Sequence, residues 1–219
     1  MFGIRNSAPP GPSFETEQAF DDRYKYVDPF TTPMYVFSMP SPLISVIIPV
    51  LNEADTINRT LAALDTLNVP HGLEVVVVDG SSRGTTLKAV APSLHPTLRV
   101  KTAMAPKGRG AQMNCGASLA DGRILLFLHA DTTISQEAVD RLQREMKCGD
   151  DVVGGAFGLE IHSSKKIYRL IETMANQRSR VTKLPYGDQA IFLRTHYFFR
   201  IGGFADIPLM EDVDLMQRI

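Results

Sequence analysis

Polar side chains that can bind ions or move protons follow short apolar runs at four places in the sequence. In chain order they are Asn52-Glu53, Asp79, Lys107-Gly108-Arg109-Gly110 and His129-Ala130-Asp131. Carboxylates and imidazoles can bind a cation or accept a proton, and a glycine-containing basic loop can bind phosphate. A fifth group, Glu211-Asp212, places two carboxylates at the start of a predicted helix.

The polar groups after the first three predicted strands are suited to binding a nucleotide. Asp79 can accept a hydrogen bond from a base N–H, and the backbone from Pro49 to Leu51 can line a flat base. The loop from Lys107 to Gly110 precedes a helix, whose N–H groups and positive dipole end favour phosphate. Neither Walker A nor G-x-G-x-x-G is matched, which disfavours P-loop and dinucleotide-binding sites. The structural alternatives are a helix cap at Asp79 and a solvated turn in the basic loop.

His129 and Asp131 are two residues apart, which places them on one side of an extended chain. Mg²⁺ prefers carboxylate and phosphate oxygens, and Mn²⁺ also accepts imidazole. A divalent cation here could bridge a diphosphate and neutralise a leaving group. The alternative is a packed histidine beside an aspartate that caps the following turn.

The adjacent carboxylates Glu211 and Asp212 have two interpretations that the residues alone leave open. They can complement the positive end of the helix dipole. One of them can also act as a general base that removes a proton from an attacking hydroxyl.

Strand and helix signals alternate from residue 43 onward, which predicts βαβ units and a mostly parallel sheet flanked by helices. In such an α/β fold, ligands bind at the carboxyl ends of the strands, where the four polar groups fall. Strands are predicted at 44–50, 73–78, 98–103, 123–128, 152–161 and 188–193. A helix is predicted from Ile57, with Ile57, Leu61 and Leu64 on one apolar face, and a short helix is predicted after Ser82, to about Val90. Further helices are predicted at 108–119, at 135–146 with Ser135 as the N-cap, at 166–180 and from Glu211.

Residues 1–42 differ in composition, since they contain seven of the chain's 14 prolines. We expect an extended or disordered arm there and one α/β domain over 43–219, with a C-terminus truncated inside its last helix. The net charge of −1 gives no indication of nucleic-acid binding. No apolar run approaches the length of a membrane span. Cys115 and Cys148 fit reduced thiols, so we expect a cytoplasmic protein, compatible with peripheral membrane contact.

Taken in order and spacing, the sequence motifs resemble glycosyltransferase family 2 from about Ser45 to Ile219. The stretches that carry the resemblance are SVIIPVLNEA, VVVVDGSS, LLFLHADT, YGDQAIFLR, IGGF and PLMEDVDL. KGRGAQMN and GDQAIF, together with LHADT in place of the usual DxD, are most similar to the bacterial transferase 2 branch associated with radical-SAM/selenodomain proteins.

The resemblance implies a GT-A fold with a Rossmann-like nucleotide-binding half and an acceptor half. It also implies an inverting, hexosyltransferase-like enzyme that uses a UDP- or GDP-linked sugar and Mn²⁺ or Mg²⁺. Carried over by motif, Asp212 is the catalytic base with Glu211 in support, and Asp131 binds the metal with a weaker contribution from His129. The donor-binding residues are Pro49, Leu51, Asn52, Glu53, Asp79, Lys107, Gly108, Arg109, Asn114, Ala130, Asp131, Asp188 and Gln189.

Two positions depart from the family pattern. His129 stands where the first Asp of DxD is usual, and Ser82-Arg83-Gly84-Thr85 replaces a stretch that normally carries an acidic residue. A nucleotidyltransferase is a less favoured alternative, because the glycine-rich signature expected after the first strand is missing. A degenerate nucleotide-sugar-binding or interaction module is the other alternative. The acceptor is not indicated by the sequence.

Overall fold

The computed structural model describes residues 44–70, 72–147, 152–157 and 190–219, and the backbone alone of residues 2–5. The predicted helix at 166–180, the predicted site residues Asp188 and Gln189, and residues 6–43 of the predicted arm lie outside the described residues.

Seven strands form one sheet. They are β1 (Phe2–Arg5), β2 (Ile44–Val50), β3 (Leu73–Asp79), β4 (Leu98–Met104), β5 (Ile124–Phe127), β6 (Val152–Ala156) and β7 (Ile191–Arg194). The described helices are α1 (Ile57–Asp65), α2 (Thr85–Ala89), α3 (Arg109–Leu119), α4 (Gln136–Lys147), α5 (Thr195–Arg200) and α6 (Glu211–Gln217), with a 3-10 turn at Pro92–Leu94.

The strand order is β1-β6-β7-β5-β2-β3-β4. Strands β2 to β5 are mutually parallel where they pair, whereas β7 runs against both β5 and β6, and β1 runs against β6. Five of the seven described strands therefore share one direction. The predicted α/β fold with a mostly parallel sheet is confirmed.

Apolar side chains cover both faces of the sheet. On one face the buried side chains of β2, among them Val46 and Ile48, pack with Leu61 of α1 and Leu142 of α4. On the other face Ile47 packs with residues of α3, α5 and α6. The β-branched runs form strands because alternate residues are buried under helices on both sides, as expected for a parallel sheet.

Helix α1 has the predicted apolar face, and α4 has the predicted cap. Ile57, Leu61 and Leu64 are buried on one side of α1. The hydroxyl of Ser135 accepts a hydrogen bond of 3.2 Å from the amide of Ala138, which confirms the predicted N-cap of α4. In the part of the chain that the structure describes, no helix combines the length and apolar character needed to cross a bilayer.

Helix α3 lies very close to the sheet. A Cβ atom added at Gly116 would stand 2.5 Å from Cγ2 of Ile47 and 3.1 Å from Cγ2 of Val78. These distances are shorter than van der Waals contact, so only glycine allows this approach. The approach fixes the height of α3 above β2 and β3.

A buried carboxylate stabilises the amino-terminal edge of the sheet. Glu74 is fully buried and accepts hydrogen bonds from the Ser45 hydroxyl and, at 2.8 Å, from the amide of Asp121. The ammonium of Lys101 lies 2.7 Å from Glu74 and 2.9 Å from Asp121. The bond with Glu74, followed by that with Asp121, raises the pKa of Lys101 above 10.5. The Lys101 ammonium holds the pKa of Asp121 below its ordinary 3.8.

We expect Lys101→Met to lower the free energy of unfolding by about 3 kcal/mol, because Glu74 stays buried without its cation. Urea unfolding followed by circular dichroism measures this change. Asp121→Asn is the control and should cost less, because the Asp121 side chain is 64% exposed.

The wild type should also lose stability outside a defined pH range. The contribution of Asp121 is present above 3.8 and is lost as the pH falls through its lowered pKa. The contribution of Lys101 is present below 10.5 and is lost as the pH rises through its raised pKa. An equal alkaline loss in Lys101→Met and wild type would contradict this assignment.

Gly116→Ala should lower the free energy of unfolding by about 1–3 kcal/mol, because the added methyl group overpacks the contact with Ile47 and Val78. In an open helical position the same change would be stabilising. Ser118→Ala, on the exposed side of α3, is the control and should stay within about 0.5 kcal/mol. A Gly116→Ala variant as stable as wild type in urea would show that α3 can move away from the sheet.

Candidate functional site

The carboxyl ends of the parallel strands bring the predicted polar groups to one edge of the sheet. Val50 pairs with Asp79, and Asp79 pairs with Met104, so β2, β3 and β4 end level with one another. The loops that carry Asn52-Glu53, Asp79, the basic stretch and His129-Ala130-Asp131 all begin at this edge. Their common position follows from strand direction alone.

Asp79 organises the turn that leads into α2. Its side chain is fully buried. One carboxylate oxygen accepts a hydrogen bond of 2.7 Å from the amide of Ser81, and the other accepts one of 3.1 Å from the amide of Thr86. The capping interpretation of Asp79 is therefore what the structure shows, and contact with a nucleotide base stays a prediction.

The loop after β2 is held by local hydrogen bonds. Asn52 is exposed and has a left-handed backbone with φ of 61°. The amide of Glu53 donates to Oγ1 of Thr86 at 3.0 Å, and the Thr56 hydroxyl donates to the Glu53 carboxylate at 2.8 Å. Leu51 is exposed. The loop is thus tied to the turn that Asp79 organises, and its predicted donor contacts remain predictions.

Gln112 joins this edge to α3, and the sequence analysis missed it. Its buried side-chain amide donates hydrogen bonds of 2.8 Å to the carbonyl oxygens of both Val50 and Val78. A Cβ atom at Gly80 would lie 2.7 Å from the Gln112 side-chain oxygen, so the turn needs glycine there. The available signal was a glutamine one turn after the basic loop, on a helix that follows a strand.

The basic loop enters α3 at the same edge. Gly108 has φ of 151°, and its carbonyl accepts the hydrogen bond of 2.9 Å from the amide of Gln112. Lys107 is exposed, and the Arg109 side chain is 50% exposed. Two cationic side chains therefore stand beside the first turn of α3, where the helix dipole adds positive charge.

His129 and Asp131 differ in their surroundings. A guanidinium nitrogen of Arg109 hydrogen-bonds to the His129 imidazole through Nε2. Since a guanidinium only donates, Nε2 is the acceptor in this pair. Asp131 is exposed, at 3.5 Å from the Thr132 hydroxyl. Between them, the carbonyl of Ala130 accepts a hydrogen bond from Thr60.

Asp131 fits the divalent cation that the resemblance implies. An exposed carboxylate at this edge can bind a cation whose other ligands are diphosphate oxygens and water, as Mg²⁺ often does. The imidazole of His129 instead faces the positive guanidinium of Arg109. Among the described residues no three His, Cys, Asp or Glu side chains form a metal-binding group. The metal prediction therefore depends on Asp131.

Glu211 and Asp212 begin α6 after a left-handed residue, Met210, with φ of 67°. Glu211 is buried, and its carboxylate lies 3.5 Å from Nε of Arg109. Asp212 is half-buried, and its carboxylate accepts a hydrogen bond of 2.8 Å from the amide of Val213. The structure thus brings both carboxylates to the basic loop, although about 100 residues separate them from it in the sequence.

The loop before α6 is fixed from two sides. The side-chain amide of Asn114 donates to the carbonyl of Phe204 at 2.8 Å and accepts from its amide at 2.9 Å. Arg218, which is paired with Asp214, donates to the carbonyls of Ile201 and Gly203 at 2.6 and 2.7 Å. The predicted contact of Asn114 with ribose or diphosphate stays a prediction, since its amide is bound to Phe204 here.

Together these elements line one shallow cleft. Its walls come from β2, α3, β5, β7, the loop before α6 and α6 itself. The lining residues are Pro49, Arg109, Met113, Phe127, Leu128, His129, Ile191, Phe204, Glu211 and Asp212. The cleft therefore has an apolar floor and a rim that carries one guanidinium, one imidazole and two carboxylates. Such a cleft can bind an anion beside a proton acceptor.

Known proteins share this sequence pattern and this fold. Glycosyltransferase AglE of Haloferax volcanii is 34% identical over 119 residues, which are 52% of this chain and 39% of that protein. The structure is similar to that of the mannosyltransferase PcManGT from Pyrobaculum calidifontis in complex with GDP-Man and Mn²⁺. The TM-score is 0.59 at 23% identity, over 78% of this chain and 50% of that chain.

A second solved structure, S. aureus TarS 1-349 in complex with UDP, matches with a TM-score of 0.55 at 22% identity. The match covers 80% of this chain and 54% of that chain. The chain thus spans about half the length of these two neighbours and 39% of the relative from Haloferax.

The family profile described as Glycosyl transferase family 2 matches residues 45–206. This range includes β2 to β7 and the basic loop, and it ends just before Glu211 and Asp212. Because the match covers well over half of the chain and agrees with the GT-A fold of the structural neighbours, the chain belongs to glycosyltransferase family 2.

Proposed function

We propose that this chain transfers a sugar from a nucleotide-diphosphate sugar to an acceptor hydroxyl, with inversion at the anomeric carbon and with assistance from a divalent cation. The observation that carries the proposal is the convergence of Arg109, Glu211 and Asp212 on one cleft at the carboxyl edge of the sheet. A guanidinium can bind the diphosphate, and a carboxylate can accept the acceptor's proton.

The reaction is a single displacement. The acceptor oxygen forms a bond to the anomeric carbon from the face opposite the diphosphate, and Asp212 takes the hydroxyl proton. The bond between the anomeric carbon and the phosphate oxygen breaks, and its electron pair leaves with the nucleoside diphosphate. Inversion follows because attack and departure occur on opposite faces.

Positive charge near the diphosphate stabilises the departing group. Arg109 provides positive charge in the cleft, and the exposed Lys107 and the first turn of α3 add positive charge beside it. A divalent cation bound by Asp131 and by diphosphate oxygens would supply further charge to the leaving group. The buried Glu211 forms an ion pair with Arg109, and Asp212 lines the same cleft.

The donor proposal is supported by the complexes of the neighbours, which hold GDP-Man with Mn²⁺ in one case and UDP in the other. We therefore propose a UDP- or GDP-linked sugar and either Mn²⁺ or Mg²⁺ for this chain. A non-catalytic nucleotide-sugar-binding module would bind the same ligands without turnover, so binding and turnover need separate measurements.

Titration calorimetry of UDP and GDP, with and without Mn²⁺, tests the donor and metal assignments. Wild type should bind one of the two nucleotides more tightly when Mn²⁺ is present. Asp131→Ala should weaken the Mn²⁺-dependent binding about tenfold or more, because it removes the carboxylate ligand. Glu137→Ala, an exposed carboxylate on α4, is the control and should bind as wild type does. Binding that ignores both Mn²⁺ and Asp131 would contradict the metal assignment.

Asp212→Asn should lower turnover about 10²- to 10⁴-fold, the range expected for loss of a general base. Since water can replace the acceptor, the release of nucleoside diphosphate from UDP- or GDP-linked sugars provides the assay. Proton NMR of the released sugar reports the anomeric configuration, which should be inverted.

Asp214→Asn is the matched control for Asp212→Asn. It neutralises a carboxylate of the same helix whose partner is Arg218, and the amide oxygen can still accept that hydrogen bond. Nucleotide binding by Asp212→Asn should stay within about twofold of wild type, because the change affects the reacting hydroxyl and not the donor. Equal loss of turnover in both variants would argue against Asp212 as the base.

A further inference from the structure

Arg109 links the diphosphate side of the cleft to its carboxylate side. It opens α3 at the end of the basic loop, and its guanidinium contacts the His129 imidazole after β5 and the Glu211 carboxylate at the start of α6. Among the described residues, Glu211 forms its ion pair with Arg109. One cation therefore serves two parts of the cleft.

The geometry of this pair is that of a loose contact. Nε of Arg109 lies 3.5 Å from the Glu211 carboxylate, whereas charge-assisted hydrogen bonds usually measure about 2.7–2.9 Å. The Glu211 side chain is 6% exposed and the Arg109 side chain is 50% exposed. The carboxylate is fixed inside the protein, and the guanidinium, with its five donors, can reach a second anion from the solvent side.

We propose that Glu211 competes with the donor's diphosphate for Arg109, so that donor binding withdraws the guanidinium from the carboxylates at the start of α6. This inference deepens the proposed function and rests on it. A diphosphate carries more charge than one carboxylate and offers the bidentate geometry that a guanidinium prefers. His129 accepts a hydrogen bond from the same guanidinium and limits how far it can swing.

The exchange has a consequence for catalysis. While Arg109 pairs with Glu211, its guanidinium is held on the carboxylate side of the cleft. When the guanidinium moves to the diphosphate, the same charge stabilises the leaving group instead. Donor binding therefore moves the charge of the guanidinium from Glu211 to the leaving group.

Glu211→Gln provides the test, because glutamine keeps the size and an acceptor oxygen but removes the competing charge. With the cation concentration fixed, Glu211→Gln should bind UDP or GDP about three- to tenfold more tightly than wild type in calorimetry. Its turnover should fall, since the carboxylate that supports Asp212 is lost. If Glu211 only stabilised the fold, Glu211→Gln would instead weaken or abolish nucleotide binding.

A double-variant cycle separates competition from simple charge repulsion. Arg109→Gln should weaken nucleotide binding about tenfold, and adding Glu211→Gln to it should restore nothing. If Glu211→Gln tightens binding equally in the Arg109→Gln background, the two anions merely repel each other and the inference is overturned. If wild type binds and Glu211→Gln binds no better, the inference fails while the proposed function stands. If wild type binds neither nucleotide, both fail.

A measurement on wild type covers the case in which Glu211→Gln does not fold. In protein labelled with ¹⁵N at arginine, the Nε signal of Arg109 can be assigned by its loss in Arg109→Lys. Saturating nucleotide should shift this signal, because Nε changes from a carboxylate partner to a phosphate partner. An unmoved signal at saturation would overturn the inference.

Discussion

Helix α3 approaches β2 and β3 so closely that a methyl group at Gly116 would lie 2.5 Å from Ile47. This height brings the side-chain amide of Gln112 within reach of the carbonyls that end both strands. It also places Arg109 at the rim of the cleft and Asn114 against the loop before α6. A helix raised by one methyl group would change all three contacts, so the cleft depends on one packing distance.

Each of two opposite edges of the sheet carries an ion pair with a buried carboxylate, and the two pairs differ in geometry. At the amino-terminal edge, one oxygen of Glu74 accepts two hydrogen bonds and the other lies 2.7 Å from the Lys101 ammonium, which compensates its charge. At the carboxyl edge, Glu211 is equally buried, but its cation is half-exposed and 3.5 Å away. A compensated pair holds structure, whereas a loose pair leaves a cation available to an anionic substrate.

The sequence was sufficient for the elements whose periodicity is local. The β-branched runs that became β2 and β3, the apolar stripe of α1 and the cap at Ser135 were all predicted, because each depends on residues within one or two turns. Strand direction then brought the polar loops to one edge without further information. The motif resemblance predicted the roles of Asp131 and Asp212, which the geometry alone leaves open.

The rest depends on contacts between distant segments. Nothing local in Ile191–Arg194 indicates that β7 runs against β5, and helix α5 lies in a short aromatic stretch without a clear period. The hydrogen bonds between Asn114 and Phe204 and the ion pair between Arg109 and Glu211 could not be predicted from the sequence either. Each of these side chains could have bound water or substrate instead. Tertiary contacts determine the direction of β7, the position of α5 and the partners of these side chains.

The pairing of Asn114 with Phe204 spans 90 positions in the chain. On a ribosome β2 to β5 emerge well before Phe204 and α6, so the loops at their carboxyl ends are synthesised long before the wall that closes the cleft. Contacts of such separation form slowly because a long loop must close before they contribute. The nascent chain can therefore pair β2 to β5 early, and its cleft is complete only after α6 has left the exit tunnel. A chain interrupted between these events would contain β2 to β5 but lack the two carboxylates of the cleft, Glu211 and Asp212.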